Sequence, residues 1–445
     1  MNFERTREIR IKRANTDWWI NEKSVVGTNG KTYIAYTTDM GEIHLKEIDA
    51  KCSRAQSYDV TLSRFNCDYA DEHNAPSVCI TESGRIIVAY TGHASTTTLK
   101  YRVTEKPYDI FSFGPERVLE YGKSVTYAQL FENVHKKQLW LFCRVDCVTW
   151  EFRYSCDEGE TWSENEVFLR SEDGGLFYLD IRRQTVSHEA MFSFAENRCG
   201  NEHYLFALYG HPLTSVDHTI RGSVFDADGW LLDANGKRTD FNLYPSLKKS
   251  GVKLMAHKEL PVIYASPKGT TARLLEVSLT VPMRVGFAAF IPDKPETITY
   301  YISTLKNGKW QLSKEICRGG EFLGKGVVDG SETYVGGMAC YYGVGEAGLN
   351  PRIPADTVTN NVYIARFDGE SRLLECYITH DGGETYTLKE VIRKIPDNGK
   401  AVKIWRPTVP VYAQDNLPVY WHEGTYNSHS GGWHCDAVML VEYDD

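Results

Sequence analysis

Two histidines twenty residues apart, His73 and His93, are the first side chains in this sequence whose type and spacing could do chemistry. Imidazole titrates near neutrality, so a histidine can accept or donate a proton in a reaction. Residues 77–81 and 85–90 run apolar or alternate as short strands, with Glu82-Ser83-Gly84 between them as a turn. A hairpin of that length brings the chain back to its starting height, since a strand advances about 3.3 Å per residue. The spacing therefore predicts both imidazoles at one end of one sheet. The competing reading is two unrelated loop histidines, and the hairpin alone does not decide between them.

The chain that must position them has 445 residues, long for one ordinary domain unless the architecture is repetitive and radial. Hydrophobic residues make up 42% and charged residues 24%, the balance of a soluble globular protein. Aromatics reach 12%, which favours β-structure and sugar-stacking surfaces. A net charge of −9 argues against nucleic acid or an anionic membrane as partner, and an anionic ligand would need a locally basic pocket. No apolar run has the roughly 18–20 residues that cross a bilayer. The first residues lack an apolar signal segment, so the expectation is a cytoplasmic protein, or a secreted one if a leader has been removed. Eleven scattered cysteines without a CxxC pair read as reduced thiols.

Short strands punctuated by turns fill the sequence, with little helical periodicity. Seven clusters stand out, at residues 31–47, 85–103, 138–155, 190–209, 284–303, 333–379 and 418–442. No Pro/Ser-rich linker separates them, so residues 1–445 read as a single domain, either a series of sandwiches or a propeller. A propeller must close, and the segment around Trp18-Trp19-Ile20 is expected to join the last strand, near 437–442.

Two segments favour the propeller. Ser155-Cys156-Asp157-Glu158-Gly159-Glu160-Thr161-Trp162 and Thr379-His380-Asp381-Gly382-Gly383-Glu384-Thr385-Tyr386 share the pattern S/T-x-D-x-G-x-T-aromatic. They resemble the Asp-box of sialidase-like β-propellers, in which Asp bonds back to turn amides, Gly takes a left-handed conformation and the aromatic packs beneath. The resemblance implies an all-β, seven-bladed propeller of four-stranded antiparallel blades, with Asp157 and Asp381 structural. A more specific likeness runs through Asp71-Glu72-His73-Asn74-Ala75-Pro76, Gly84-Arg85, Tyr90-Thr91-Gly92-His93, Val125-Thr126-Tyr127-Ala128 and the 139–144 strand. It continues through Gly210-His211-Pro212, Asp228-Gly229, Trp405-Arg406-Pro407 and Tyr420-Trp421. Together these resemble propeller-type polysaccharide lyases, the ulvan lyases and the lyases that cut rhamnose–glucuronate linkages. Glu72 stands where that family suggests Asp, and Gln129 where it suggests Asn.

The resemblance implies β-elimination at a hexuronic acid, which needs three groups. A cation must hold the carboxylate so that charge can develop at C5; Arg144 suits, being permanently charged and able to bind a carboxylate with its fork. A base must take the C5 proton, for which His73 or Tyr127 is a candidate. An acid must protonate the oxygen leaving C4, for which Tyr127 or His93 could serve. Asn74 would add an amide donor, and His211, Arg406 and Trp421 are expected to touch substrate. The residues taken singly also allow plainer roles: a buried ion pair of Arg144 with Asp146 or another carboxylate, interblade packing for Tyr127, a strand cap for His211.

The chemistry proposed needs no cofactor. A structural calcium or zinc is the metal expectation: His422, His429, His434 and Cys435 match no standard zinc spacing, and an oxygen-ligated calcium on the propeller axis is the form expected first. The segment 421–426 with Trp433 reads instead as an exposed aromatic loop that touches sugar. The leading expectation is an enzyme that cleaves an acidic oligosaccharide or polysaccharide and leaves a 4,5-unsaturated uronate. The alternatives are a rhamnosidase- or sialidase-like hydrolase on the same scaffold, and a non-catalytic glycan-binding propeller. A sialidase is disfavoured because Arg-Ile-Pro occurs only at Arg352-Ile353-Pro354, late in the chain.

Overall fold

The computed structural model describes residues 6–16, 23–50, 56–64, 71–171, 177–183, 203–210, 219–233, 236–244, 255–278, 284–306, 308–323, 335–342, 360–399, 402–411, 413, 419–426 and 433–442. The segments 18–20, 190–194 and 352–354, together with His211 and His429, lie outside the described residues.

Seven antiparallel sheets follow one another along the chain as the blades of a β-propeller. Apart from the last blade, which the amino-terminal strand completes at its outer edge, each blade is a meander that starts from its innermost strand. In the second blade the order from inside outward is Ser77–Ile80, Ile86–Tyr90, Thr98–Val103, Arg117–Glu120; in the third it is Val125–Asn133, Gln138–Val145, Thr149–Ser155, Glu166–Arg170. Burial falls from the axis outward, and the sequence follows it. Gln138–Val145 is an almost uninterrupted apolar run covered on its two faces by the neighbouring blades. Thr98–Val103, farther out, alternates: Leu99, Tyr101 and Val103 are buried and the residues between them half-buried. Between the third and fourth blades the core holds edge-to-face aromatic pairs, such as Trp140 on Tyr244 and Phe168 on Phe225.

The predicted hairpin forms between Ser77–Ile80 and Ile86–Tyr90. Its turn needs Gly84, which has φ 84°, and a Cβ there would lie 2.5 Å from Tyr108 Cε2. Both Asp-boxes form as well. The Asp157 carboxylate accepts from Thr161 N–H at 2.8 Å and Thr161 Oγ1 at 2.6 Å, and Asp381 accepts from Thr385 N–H at 2.9 Å. Trp162 packs edge-on against Tyr101, and Tyr386 is buried in the core. The described cysteines are free thiols.

Ring closure differs from the expectation. The strand that completes the last blade is Thr6–Ile11, upstream of Trp18, paired with Trp433–Glu442 from Thr6↔Glu442 to Ile11↔Ala437. Its sequence, TREIRI, suits an outermost strand: Ile9 and Ile11 meet the core, while Glu8 and Arg10 lie on the opposite face.

Candidate active site

The site grows from one turn. Asp71 precedes a single 3₁₀ turn, Glu72–Asn74, and its Oδ1 accepts the His73 N–H at 2.9 Å while its carbonyl accepts the Asn74 N–H at 3.1 Å. A carboxylate that ties down its own turn in this way fixes the direction in which His73 leaves the backbone. Thr37 Oγ1, on the neighbouring blade, donates to the Asn74 carbonyl at 3.2 Å. His93 follows the second strand of the hairpin, and its loop is pinned by the Ala94 N–H donating to Thr126 Oγ1 at 2.9 Å. The hairpin thus delivers both histidines to one rim, as its length requires.

Thr126 leads into a bulge. The register runs Thr126↔Arg144 and resumes at Gln129↔Phe142, so Tyr127 and Ala128 together face one partner residue. Tyr127 has φ 62°, rare for a bulky side chain and the kind of backbone strain that clusters at working sites. Gln129 then holds the next blade, donating to the Leu179 carbonyl at 2.9 Å and accepting the Ile181 N–H at 3.1 Å. An amide with this reach accounts for glutamine here.

The structure brings His73, His93, Tyr127 and Arg144 together. The two imidazoles stack parallel, 3.9 Å between centroids and 3° between planes. Tyr127 lies 5.9 Å from His73 and 6.1 Å from His93. The Arg144 guanidinium sits 4.5 Å over the Tyr127 ring and 5.5 Å from the Tyr178 ring. Arg144 is 2% exposed, and its Nε and Nη1 have no hydrogen-bond partner. Burial works against its charge, yet Tyr127 and Tyr178 beside it outweigh that and hold its pKa above the ordinary value. The ion pair with Asp146 does not form: Asp146 is at the surface with Lys123, 2.9 Å away.

Asp71 links the two histidines. Its Oδ1 is 2.5 Å from His73 Nδ1 and its Oδ2 is 3.0 Å from His93 Nδ1. Burial pushes its carboxyl up, but the two imidazoles more than compensate and hold it well below the usual carboxylate range. Asp71, His73 and His93 are also a group of described residues whose ligand atoms lie within 4.8 Å of one another. Two nitrogens and an oxygen would suit zinc better than calcium. The contacts are those of hydrogen bonds, each carboxylate oxygen meeting its own imidazole.

Other expected residues fall differently. Asn74 is buried within the same turn, with Oδ1 lacking a partner. Arg406 is buried on the inner strand Lys403–Thr408, at φ 48° in a bulge like that of Tyr127, with its N–H on the Gly336 carbonyl at 2.6 Å. No described contact joins Arg406 to the histidines. Trp421 is a correction. Residues 420–426 form a strand, and Trp421 is 1% exposed in the core between blades, its Nε1 donating to Glu423 Oε1 at 3.0 Å. It is therefore a packing residue. Nor do His422, His434 and Cys435 form a cluster: His422 is buried against Thr16, His434 is exposed beside Asp39, and the Cys435 thiol faces the Ala14 carbonyl.

Sequence reading missed Asp71 and Tyr178. Asp71 is in the quoted motif, where a carboxylate two residues before a histidine reads as a turn cap. Tyr178 lies in the strand Phe177–Arg183 with no local signal. Burial raises its pKa, against the opposing pull of Arg144 and Arg273.

Residues 31–205 match a family described as BNR repeat-containing family member. No curated protein matches the sequence. Among solved structures, an ulvan lyase, described as a new family of polysaccharide lyase, is similar with TM-score 0.65 at 13% identity, covering 98% of this chain and 96% of that one. An ulvan lyase structure bound to -[GlcA(1-4)Rha3S]- gives 0.64 at 12% identity with the same coverage. An α-L-arabinanase of Penicillium chrysogenum complexed with arabinobiose gives 0.45 at 10% identity, covering 84% and 95%. The chain is a seven-bladed β-propeller that shares its fold with an ulvan lyase and is similar, over residues 31–205, to a BNR repeat-containing family.

Proposed function

We propose that this protein is a lyase that cleaves a glycosidic bond at a hexuronic acid, glucuronate next to rhamnose, by β-elimination. The observation that carries this reading is Arg144: a buried cation with two donors unoccupied, set on Tyr127 and beside a pair of imidazoles. A buried guanidinium with open donors favours an anionic ligand, and a uronate carboxylate supplies one. In the step proposed, Arg144 holds that carboxylate and stabilises the charge that develops as the C5–H bond breaks. His73 or Tyr127 takes the proton, the C4=C5 bond forms, and the C4–O bond breaks. Tyr127 or His93 gives the leaving oxygen its proton, and Asn74 is a second donor to the carboxylate. The ulvan lyase fold, one example of which is bound to a glucuronate–rhamnose repeat, supports the choice of substrate.

Most glycoside hydrolases use two carboxylates flanking the scissile bond. The carboxylate that described contacts place here, Asp71, is already shared between two imidazoles. That arrangement favours elimination.

The test is to incubate the protein with glucuronate–rhamnose oligosaccharides and watch for the ultraviolet absorbance of a conjugated double bond. Arg144→Ala and His73→Ala should each lower kcat by about 10²–10³, the usual cost of losing one preorganised stabiliser of developing charge. Cleavage without a double bond, or unchanged turnover in both variants, would overturn the assignment.

A further inference from the structure

Asp71 is a charged, largely buried group that the elimination steps do not use directly. Its side chain is 18% exposed, and each of its oxygens faces a different imidazole. An ionised carboxylate only accepts hydrogen bonds, so each Nδ1 facing it must carry a proton. The Nε2 atom of each ring is then the one that holds either a lone pair or a second proton. Face to face at 3.9 Å, two imidazolium rings would repel each other, and one carboxylate balances one positive charge. Among the described contacts, Tyr127 touches both rings, and the Arg144 cation above it disfavours a second imidazolium.

We infer that Asp71 is a positioning residue that acts through both histidines, fixing each as the Nδ1–H tautomer and letting the stacked pair hold one additional proton between them. Its use in turnover rests on the elimination reading; the proton placement does not. One ring is then neutral, with an Nε2 lone pair able to accept the C5 proton. The other is charged, with an Nε2–H able to protonate the oxygen that leaves C4. One proton enters the pair and one leaves it, so its total charge is unchanged and only the charged ring has switched. A single carboxylate thereby gives two identical side chains opposite roles.

The experiment reads the imidazoles directly, without sugar. Full-length protein labelled with ¹⁵N-histidine and treated with chelator is examined by long-range ¹H–¹⁵N NMR, with His73→Gln and His93→Gln variants for assignment. Above neutral pH both rings should show the Nδ1–H pattern, and on acidification they should titrate in two steps separated by more than about one pH unit, as coupled sites do. In Asp71→Asn the amide can donate as well as accept, so at least one ring should switch to Nε2–H and both should lose protons at lower pH. Asp71→Glu, which keeps the charge, should retain both tautomers, and unchanged signals from the remaining histidines report an intact fold. Wild-type rings of the Nε2–H form, tautomers and midpoints unmoved in Asp71→Asn, or Nδ1 protons displaced when zinc alone is added back would overturn the inference. Turnover of a glucuronate–rhamnose oligosaccharide is measured separately. A wild-type protein with the expected tautomers but no eliminated product would reject the function and leave the proton placement standing.

Discussion

Two buried side chains, Arg144 and Trp421, show how differently similar surroundings can be used. Arg144 brings a charge and open donors into an aromatic enclosure, a costly arrangement without a ligand to meet them. Trp421 brings apolar area, and its single polar atom is satisfied by Glu423. Trp421→Ala should therefore destabilise the fold by about 3–5 kcal/mol, as large aromatic truncations in cores do. Turnover per folded molecule should be unchanged. Denaturant unfolding beside steady-state kinetics checks this, and a raised KM with undiminished stability would return Trp421 to a sugar-binding role. The four grouped residues were legible in the sequence because hairpin length is simple arithmetic and their order along the chain carried a family likeness. The burial of Trp421 was not. Gly424 and the polar residues around it look like a loop, and only pairing with Trp433–Glu442 makes them a strand. Asp71 was visible as a residue and invisible as a link, because its second oxygen reaches an imidazole twenty-two residues away.

The decisive element is the innermost strand of the third blade. It begins in regular pairing, inserts a bulge at Tyr127–Ala128, and recovers its register at Gln129. Tyr127 is offered to the imidazoles by that irregularity, which alternation in the sequence cannot reveal. The two residues flanking the bulge hold it in place: Thr126 by accepting from the His93 loop, and Gln129 by clasping the next blade. Gln129 is fully buried, so Gln129→Leu would leave the Leu179 carbonyl and the Ile181 N–H without their partner. Stability should fall by about 2 kcal/mol, within the range for stranding buried polar groups. Activity should fall further than stability, since the bulge loses one of its two anchors. Urea midpoints and turnover of the purified variant measure the two separately. A variant as stable and active as the parent would mean that the bulge is held by packing alone. The same backbone device recurs at Arg406, on the inner strand of the last blade. Irregularity of the inner strands thus recurs around the ring, and the instance at Tyr127 meets the histidines.

At the scale of the whole molecule, a ring of blades is as secure as its seam. Here the seam is chemical as well as topological. Glu423, on the second strand of the last blade, accepts from Arg10 Nη2 of the closing strand at 2.8 Å and from Arg393 Nη2 of the preceding blade at 3.0 Å. One carboxylate therefore ties the amino-terminal strand to two blades from the other end of the chain. The sequence announced closure but misplaced the strand, because an aromatic cluster at 18–20 is a louder signal than TREIRI, whose value lies in partners more than four hundred residues away. Burial raises the Glu423 carboxyl, but the bonds from Arg10, Arg393 and Trp421 lower it further, so its folded pKa lies below the unfolded value. For a carboxyl shifted downward, the stabilisation is present above the unfolded pKa of about 4.3 and is lost as pH falls below it. Glu423→Gln should accordingly cost about 1–2 kcal/mol at pH 7, a modest figure because Glu8 also pairs with Arg10 at 2.8 Å and the seam is partly solvated. The gap between parent and variant should narrow steadily as the pH is lowered from about 5 to 3. Guanidinium unfolding at a series of pH values measures it. A gap that stays constant on acidification would show that Glu423 contributes through packing and neutral hydrogen bonds, and that the ring is closed by strand pairing without help from this charge.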